Sequence, residues 1–302
     1  MKLTIKAASY FCSGFLVLAF MGATSCFAQI DHNITPYTKT MTSNIHGIVG
    51  RAFGDGQMRP DVGVQLFRRY CVGCHGPQGN GEGENAQWID PKPRDFTVAT
   101  FECRSTPTGT LPTDEDLFDS ITRGFVTTNM PSWKALTVQD RADLIAMVKS
   151  FSPRWEKEKP GTPITIPPEP ALTVESILRG RQNFDKLQCW KCHGPEGHGD
   201  GPSASTLTND KGDPIRPYNF STGTRFKCGA TNRDLYRIFM TGLDGTPMPS
   251  FADVVKPDEA WDLVHFLRTL QVSLNTPELA MFKKWQADHP GQLKPIGQEQ
   301  AP

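Results

Sequence analysis

Two short runs of residues have the types and spacing to hold a metal-bearing cofactor. Cys71-Val72-Gly73-Cys74-His75 and Cys189-Trp190-Lys191-Cys192-His193 share the pattern Cys-x-x-Cys-His. That pattern is the attachment signature for c-type haem. Its two thiols form thioethers to the haem vinyl groups, and the adjacent imidazole then reaches the iron from the same side. Two other chemistries use Cys-x-x-Cys. Zinc sites that pair two such units space them by roughly 15–20 residues, whereas Cys74 and Cys189 lie far further apart. A thiol redox pair does not require the following histidine, and nothing nearby reads as βαβ.

The two motifs belong to an internal repeat, the feature to look for first in any chain of this length. Cys71 to His75 matches Cys189 to His193 at an offset of 118, and both runs continue into Gly-Pro. Met130-Pro131-Ser132-Trp133 matches Met248-Pro249-Ser250-Phe251 at the same offset, so histidine and methionine are 55 residues apart in both copies. Between these anchors the register slips. Pro93-Arg94-Asp95-Phe96 matches Pro217-Tyr218-Asn219-Phe220 at 124, and Phe101-Glu102-Cys103 matches Phe226-Lys227-Cys228 at 125. The second copy has gained seven residues before its cysteine and lost seven after it.

Met130 and Met248 are the natural sixth ligands of the two irons. A thioether is a soft ligand that favours ferrous iron, as in Met/His cytochromes. The alternative is a methionine packed against the cofactor without ligating it. Other candidates fit less well. Met147 and Met240 read as core. Met58 and Met281 lie outside the repeats. His198 reads as solvated, His265 as packed or facing water. His46 could ligate only if the N-terminal segment folds back. Cys103 and Cys228 occupy matching positions and admit three readings. They form an inter-repeat disulfide, or pack as two free buried thiols, or one of them displaces a methionine from iron.

The elements that must position these residues read as helices. Val62, Leu66, Phe67 and Tyr70 recur at helical spacing before Cys71, as do Ile177, Leu178, Phe184 and Leu187 before Cys189. Middle helices are expected over Asp114–Arg123 and Asn232–Thr241, stopped by Gly124 and Gly242. Longer closing helices follow. The first is capped by Thr137 with Asp140 and carries Leu144, Ile145, Val148 and Phe151. The second opens at Pro257 and carries Trp261, Val264, Leu267 and Leu270. The stretch 153–173 is rich in proline and reads as an extended, semi-rigid linker.

Composition bounds the rest. The 302 residues suffice for two ordinary domains. Only 37% are hydrophobic, with 27 Gly and 25 Pro, which suits small loop-rich domains built around a large apolar cofactor. Lys2 and Lys6 precede a short apolar run, Phe15 to Met21, well below the ~20 residues that span a bilayer. Residues 1–28 therefore read as an export signal cleaved before Gln29. Lipidation at Cys26 is the second option and a retained anchor helix the third. Losing Lys2 and Lys6 leaves 30 Lys and Arg against 32 Asp and Glu. With no basic stripe, nucleic-acid binding has no support. The chain divides into a signal (1–28), an N-terminal extension (29–58), a first domain (59–152), the linker (153–173), a second domain (174–272) and a C-terminal tail (273–302). The extension and the polar end of the tail are expected to be poorly ordered or draped on the surface.

A helix running into Cys-x-x-Cys-His-Gly, a Gly-rich loop, a Met-Pro-Ser loop and a closing helix together resemble class I cytochromes c, over about 60–152 and 174–272. The resemblance implies an all-α fold of two tandem cytochrome c domains, each wrapping one haem c. It carries His75 and His193 over as proximal ligands and Met130 and Met248 as distal ones. The cysteines Cys103 and Cys228 depart from the simplest members. The run Cys103-Arg104-Ser105-Thr106-Pro107-Thr108-Gly109 looks like that of dihaem cytochromes associated with bacterial respiratory complexes. The expected function is electron transfer in the periplasm or another exported location, free or membrane-associated. Redox proteins or a membrane respiratory complex would be the partners, rather than a small-molecule substrate. A dihaem enzyme, thiosulfate dehydrogenase-like or peroxidase-like, and a fixed haem subunit of a larger complex are the alternatives.

Overall fold

A computed structural model describes residues 58–223 and 225–297. The expected signal, nearly all of the N-terminal extension, and with them His46, Cys12 and Cys26, lie outside the described residues. The described chain is helical, with no strand. In the first repeat α1 (Pro60–Tyr70) leads into the single turn α2 (Val72–His75). Then come α3 (Asp114–Arg123), α4 (Val138–Ser150) and the short α5 (Arg154–Lys157). The second repeat has α6 (Val174–Lys186), the single turn α7 (Trp190–His193), α8 (Asn232–Thr241) and α9 (Pro257–Thr269), followed by α10 (Pro277–Asp288).

The order of helices is that of two tandem cytochrome-type domains, and the middle helices stop where the sequence places their glycines. Gly124 and Gly242 close α3 and α8 at φ of 64° and 69°, in the left-handed region. Thr113 and Thr231 open the same helices with reciprocal capping boxes to Asp116 and Asp234. Thr137 caps α4 by accepting the Asp140 N–H at 3.0 Å, and Pro257 is the first residue of α9.

In each repeat the first and last long helices cross at a glycine. α1 packs on α4 and α6 on α9. A Cβ at Gly63 would collide with the Asp143 carbonyl, and one at Gly180 with the Asp262 carbonyl. The backbones approach this closely because nothing protrudes between them. Each crossing is pinned by an arginine on an aspartate. Arg59 donates to Asp143 at 2.9 and 2.6 Å, and Arg179 to Asp262 at 2.7 and 2.9 Å. Phe67, Leu144, Met147 and Val148 fill the interior beside the first crossing; Ile177, Phe184, Val264 and Phe266 fill it beside the second.

Two connecting stretches are more structured than their composition suggests. The stretch expected to be an extended linker over 153–173 instead opens with α5, whose Trp155 is buried in the first core; only the part beyond Lys157 is extended, and it is fastened to both repeats. The Gly161 and Ile164 N–H groups donate to Leu111 and Ser105 of the first repeat, at 3.0 and 2.8 Å. Glu169 accepts from Asn232 of the second at 2.6 Å. Beyond 272, the stretch read as a tail contains α10, whose Leu279 and Phe282 are buried. Leu293 and Ile296 then pack on the second core. The polar stretch at its end is held down by the Gly297 N–H, which donates to Asp185 at 2.8 Å.

Candidate cofactor clefts

Cys71, Cys74 and His75 stand on one face of one helical turn because the motif spaces them three and four residues apart. The His75 N–H closes that turn on the Cys71 carbonyl at 2.9 Å, and the His193 N–H closes its counterpart on Cys189 at 2.9 Å. All four motif cysteines are unpaired and half-buried. Burial pushes the Cys71 and Cys189 thiols up to about 12.

Both imidazoles are oriented by backbone. His75 Nδ1 lies 3.0 Å from the Arg94 carbonyl, and His193 Nδ1 lies 3.2 Å from that of Tyr218. Nδ1 must carry the proton to donate there, which leaves Nε2 with its lone pair free to bind a metal. Burial lowers the His75 pKa to about 4 and lowers that of His193, so both rings are neutral at ordinary pH. Phe96 stacks on His75 at 4.4 Å, and the matching Phe220 sits 5.1 Å from His193.

The methionine loops are built alike. The Met130 N–H donates to Thr128 Oγ1 at 3.0 Å, and its carbonyl accepts from Phe125 at 3.0 Å. The Met248 N–H donates to Thr246 at 3.2 Å, and its carbonyl accepts from Leu243 at 3.0 Å. Ser132 and Ser250 tie the far side of each loop to the helix before it, donating to Thr122 and Met240 at 2.7 Å each. Thr128 and Thr246 did not emerge as site residues from the sequence reading. The signal that could have found them is the Thr-x-Met spacing common to both copies.

In the first repeat these parts face one another across a cleft. Cys71, Cys74 and His75 line one side, and Met130, Pro131 and Trp133 line another, around a space partly open to solvent. Phe96, Phe101, Leu117, Ile121 and Val148 make its walls apolar. The Trp133 indole nitrogen is buried and has no hydrogen-bond partner among the described residues. Free thiols, a neutral imidazole, a thioether and largely apolar walls are a donor set that fits a covalently held haem. In the second repeat Cys189, Trp190 and Met248 pack against one apolar cluster with Phe220, Phe226 and Phe239. The competing residues lie elsewhere. Met58 and Met147 are buried in the first core, and Met240 and Met281 pack on the second. His198 is exposed beside Glu196. His265 is buried and contacts Ser176 Oγ at 2.7 Å.

Of the three readings for Cys103 and Cys228, the structure has the first. The two sulfurs form a disulfide between the repeats, with Cα atoms 5.1 Å apart. Around it lies a polar joint that sequence reasoning missed. Arg104, whose side chain is fully buried, pairs with Asp244 at 2.7 Å and donates to the carbonyls of Phe101 and Thr241. Thr108 Oγ1 and the Gly109 N–H reach the same Asp244 carboxylate at 2.6 and 2.7 Å. A single sequence gives no pairing signal for Arg104 and Asp244, which are 140 residues apart. In the first copy the position matching Asp244 is Val126, which is exposed.

Comparison with known proteins adds three findings. Residues 177–271 match the family model described as Cytochrome c, and residues 59–148 match that described as Cytochrome C oxidase, cbb3-type, subunit III. A chain in the solved structure of the reducing HAO-like protein complex of Kuenenia stuttgartiensis is 43% identical to this one. The match covers 70% of this chain and 96% of that chain, with a TM-score of 0.68. No curated protein matches this chain.

Proposed function

The chain belongs to the dihaem c-type cytochromes, and from that premise we propose that it is an exported carrier passing single electrons between redox proteins through one haem c in each repeat. The observation that carries this reading is the gathering of Cys71, Cys74, His75 and Met130 around one apolar cleft. Cys189, Cys192, His193 and Met248 stand at matching positions in the second repeat. When bound, haem supplies a one-electron ferric/ferrous couple. The chain's own residues do the rest. The cysteines hold the group covalently, which guards against its loss outside the cell. His75 and His193 present Nε2, oriented through Nδ1 by backbone carbonyls. Met130 and Met248 offer thioethers that favour the reduced state and raise the potential. Phe96, Phe101 and Ile121 give the first site apolar walls.

If His75 with Met130, and His193 with Met248, hold the two irons, those residues would leave no position for a substrate. That favours a carrier over an enzyme. The reading of a cysteine-ligated catalytic haem needs a free thiol, and Cys103 and Cys228 spend their sulfurs on each other. The test is optical: the ferric holoprotein should show the long-wavelength methionine–iron band and should not bind azide or peroxide. Ready ligand binding without that band sinks the carrier reading.

Export rests on the basic start and short apolar run of residues 1–28. Cleavage gives a mature chain beginning at Gln29, whereas lipidation at Cys26 would tether it to a membrane. The mass of the mature protein separates the two. Partners are redox proteins or a membrane respiratory complex, such as a quinol-oxidising complex or a terminal oxidase. A second reading, a fixed haem subunit, is favoured by the likeness to a chain of the HAO-like complex. Co-purification with membranes at high salt supports it, and recovery as a free soluble monomer sinks it.

A further inference from the structure

Glu102 and Lys227 occupy matching positions in the two repeats, each one residue before a cysteine of the disulfide, yet they carry opposite charges. They pair across the joint, with Lys227 Nζ 2.6 Å from Glu102 Oε2. The other carboxylate oxygen of Glu102 accepts from the Arg94 guanidinium. Arg94 in turn is the residue whose carbonyl holds His75 Nδ1. A continuous run therefore leads from Lys227 of the second repeat, through Glu102 and Arg94, to the imidazole of the first. All four residues line the first cleft.

The seven-residue gain in the second copy points the same way. It carries Lys211, which lies 2.9 Å from Asp95 Oδ2 and donates to the Asn80 carbonyl at 3.1 Å, both in the first repeat. The relation is one-sided. The counterpart of Arg94 is Tyr218, which holds His193 through its carbonyl but bears no positive charge. The first cleft is thus completed by the second repeat. A fixed charge beside apolar walls is weakly screened, and a positive one favours whichever state of the centre holds the extra electron.

We propose that Lys227 is a positioning residue for the first haem, supplied by the second repeat. It fixes the Glu102–Arg94 pair behind His75 and raises that haem's potential above the value repeat one would give alone. The inference rests on the haem reading of the first cleft. The change is a single electron gained, with no bond made or broken and no proton moved.

The test is redox titration of the holoprotein in a Met248→His background, which displaces the second potential so that the first is read separately. At a fixed applied potential, Lys227→Gln should lower the ferrous-to-ferric ratio of the first haem about threefold, or roughly 30 mV at 59 mV per tenfold for one electron. Lys227→Arg should retain the parent ratio. Glu102→Gln should shift the ratio the opposite way. The second haem, titrated in a Met130→His background, should not move. Shifts of the same sign from Lys227→Gln and Glu102→Gln would mean a loosened joint and overturn the inference. Equal shifts at both haems, or none, overturn it too. A holoprotein with only one titrating haem is a different failure: it overturns the haem reading, and the inference falls with it.

Discussion

At the scale of residues, the decisive property is which atom each side chain leaves available. The carbonyls of Arg94 and Tyr218 engage Nδ1 of His75 and His193, so Nε2 is the atom presented. Met130 and Met248 are presented by loops anchored through threonine hydroxyls. Replacing Met130 or Met248 with histidine should lower the potential of its own haem and leave the other in place, because a harder ligand favours ferric iron. Separate potentiometric titrations check this, and a substitution that leaves its haem unchanged shows that this methionine is not the ligand. Thr128→Ala and Thr246→Ala each remove two hydrogen bonds, one from the methionine N–H and one to the Phe125 or Leu243 carbonyl, worth about 1 kcal/mol apiece. The methionine–iron band should weaken for the altered repeat while the haem content stays at two per chain.

At the scale of elements, the helix crossings set the geometry in which those residues work. α1 carries the chain into Cys71 and α6 into Cys189, so each attachment turn inherits its position from a crossing. Gly63→Ala and Gly180→Ala push a methyl into a backbone carbonyl that cannot retreat without separating two helices. Each should cost about 1–3 kcal/mol or more, the range for forced overpacking. Thermal unfolding of the holoprotein reads the loss. An unchanged midpoint would mean that the helices slide apart freely, contrary to the buried Phe67 and Phe184 beside them. The middle helices need less tertiary support at their ends, since capping threonines and stop glycines are local devices.

At the scale of the whole molecule, the two repeats are held by unlike fasteners. The disulfide closes a loop of 125 residues, and removing it through Cys103→Ser with Cys228→Ser should cost about 2–4 kcal/mol. Asp244→Asn strands the buried Arg104 guanidinium, whose charged form burial already disfavours. Leaving such a charge uncompensated costs about 3–5 kcal/mol. Denaturant titration should therefore show Asp244→Asn destabilising at least as strongly as loss of the disulfide. The joint also responds to acid. Burial pushes the Asp95 carboxyl up, but hydrogen bonds from Thr97 and Lys211 outweigh it, and the pKa ends below the usual carboxylate range. A depressed carboxylate stabilises the fold above its unfolded pKa and loses that contribution as pH falls through the folded value. Lys211→Gln should thus reduce stability at neutral pH and flatten its decline below about pH 4, the ordinary aspartate range. Parallel acid titrations of parent and variant check this.

Local chemistry was readable from the chain alone, and relations across the joint were not. Cys-x-x-Cys-His, the methionine 55 residues on, and the stop glycines of α3 and α8 are short patterns written twice, and the repetition itself separates signal from chance. The tandem organisation follows from the same repetition, and the all-α fold from the resemblance to class I cytochromes c that the repeated motifs carry. What only the tertiary structure decided is what each repeat does for the other. The bond between Cys103 and Cys228, the burial of Arg104 on Asp244, and the reach of Lys227 into the first cleft join residues more than a hundred positions apart. Helix signals depend on neighbours three or four residues away, so sequence order exposes them. Pairing across an interface depends on how two folded bodies meet, and no local spacing encodes it. The tail is the same lesson on a smaller scale: Thr276 and Pro277 start α10 locally, but its seat on the second core is set by how Leu279 and Phe282 pack there.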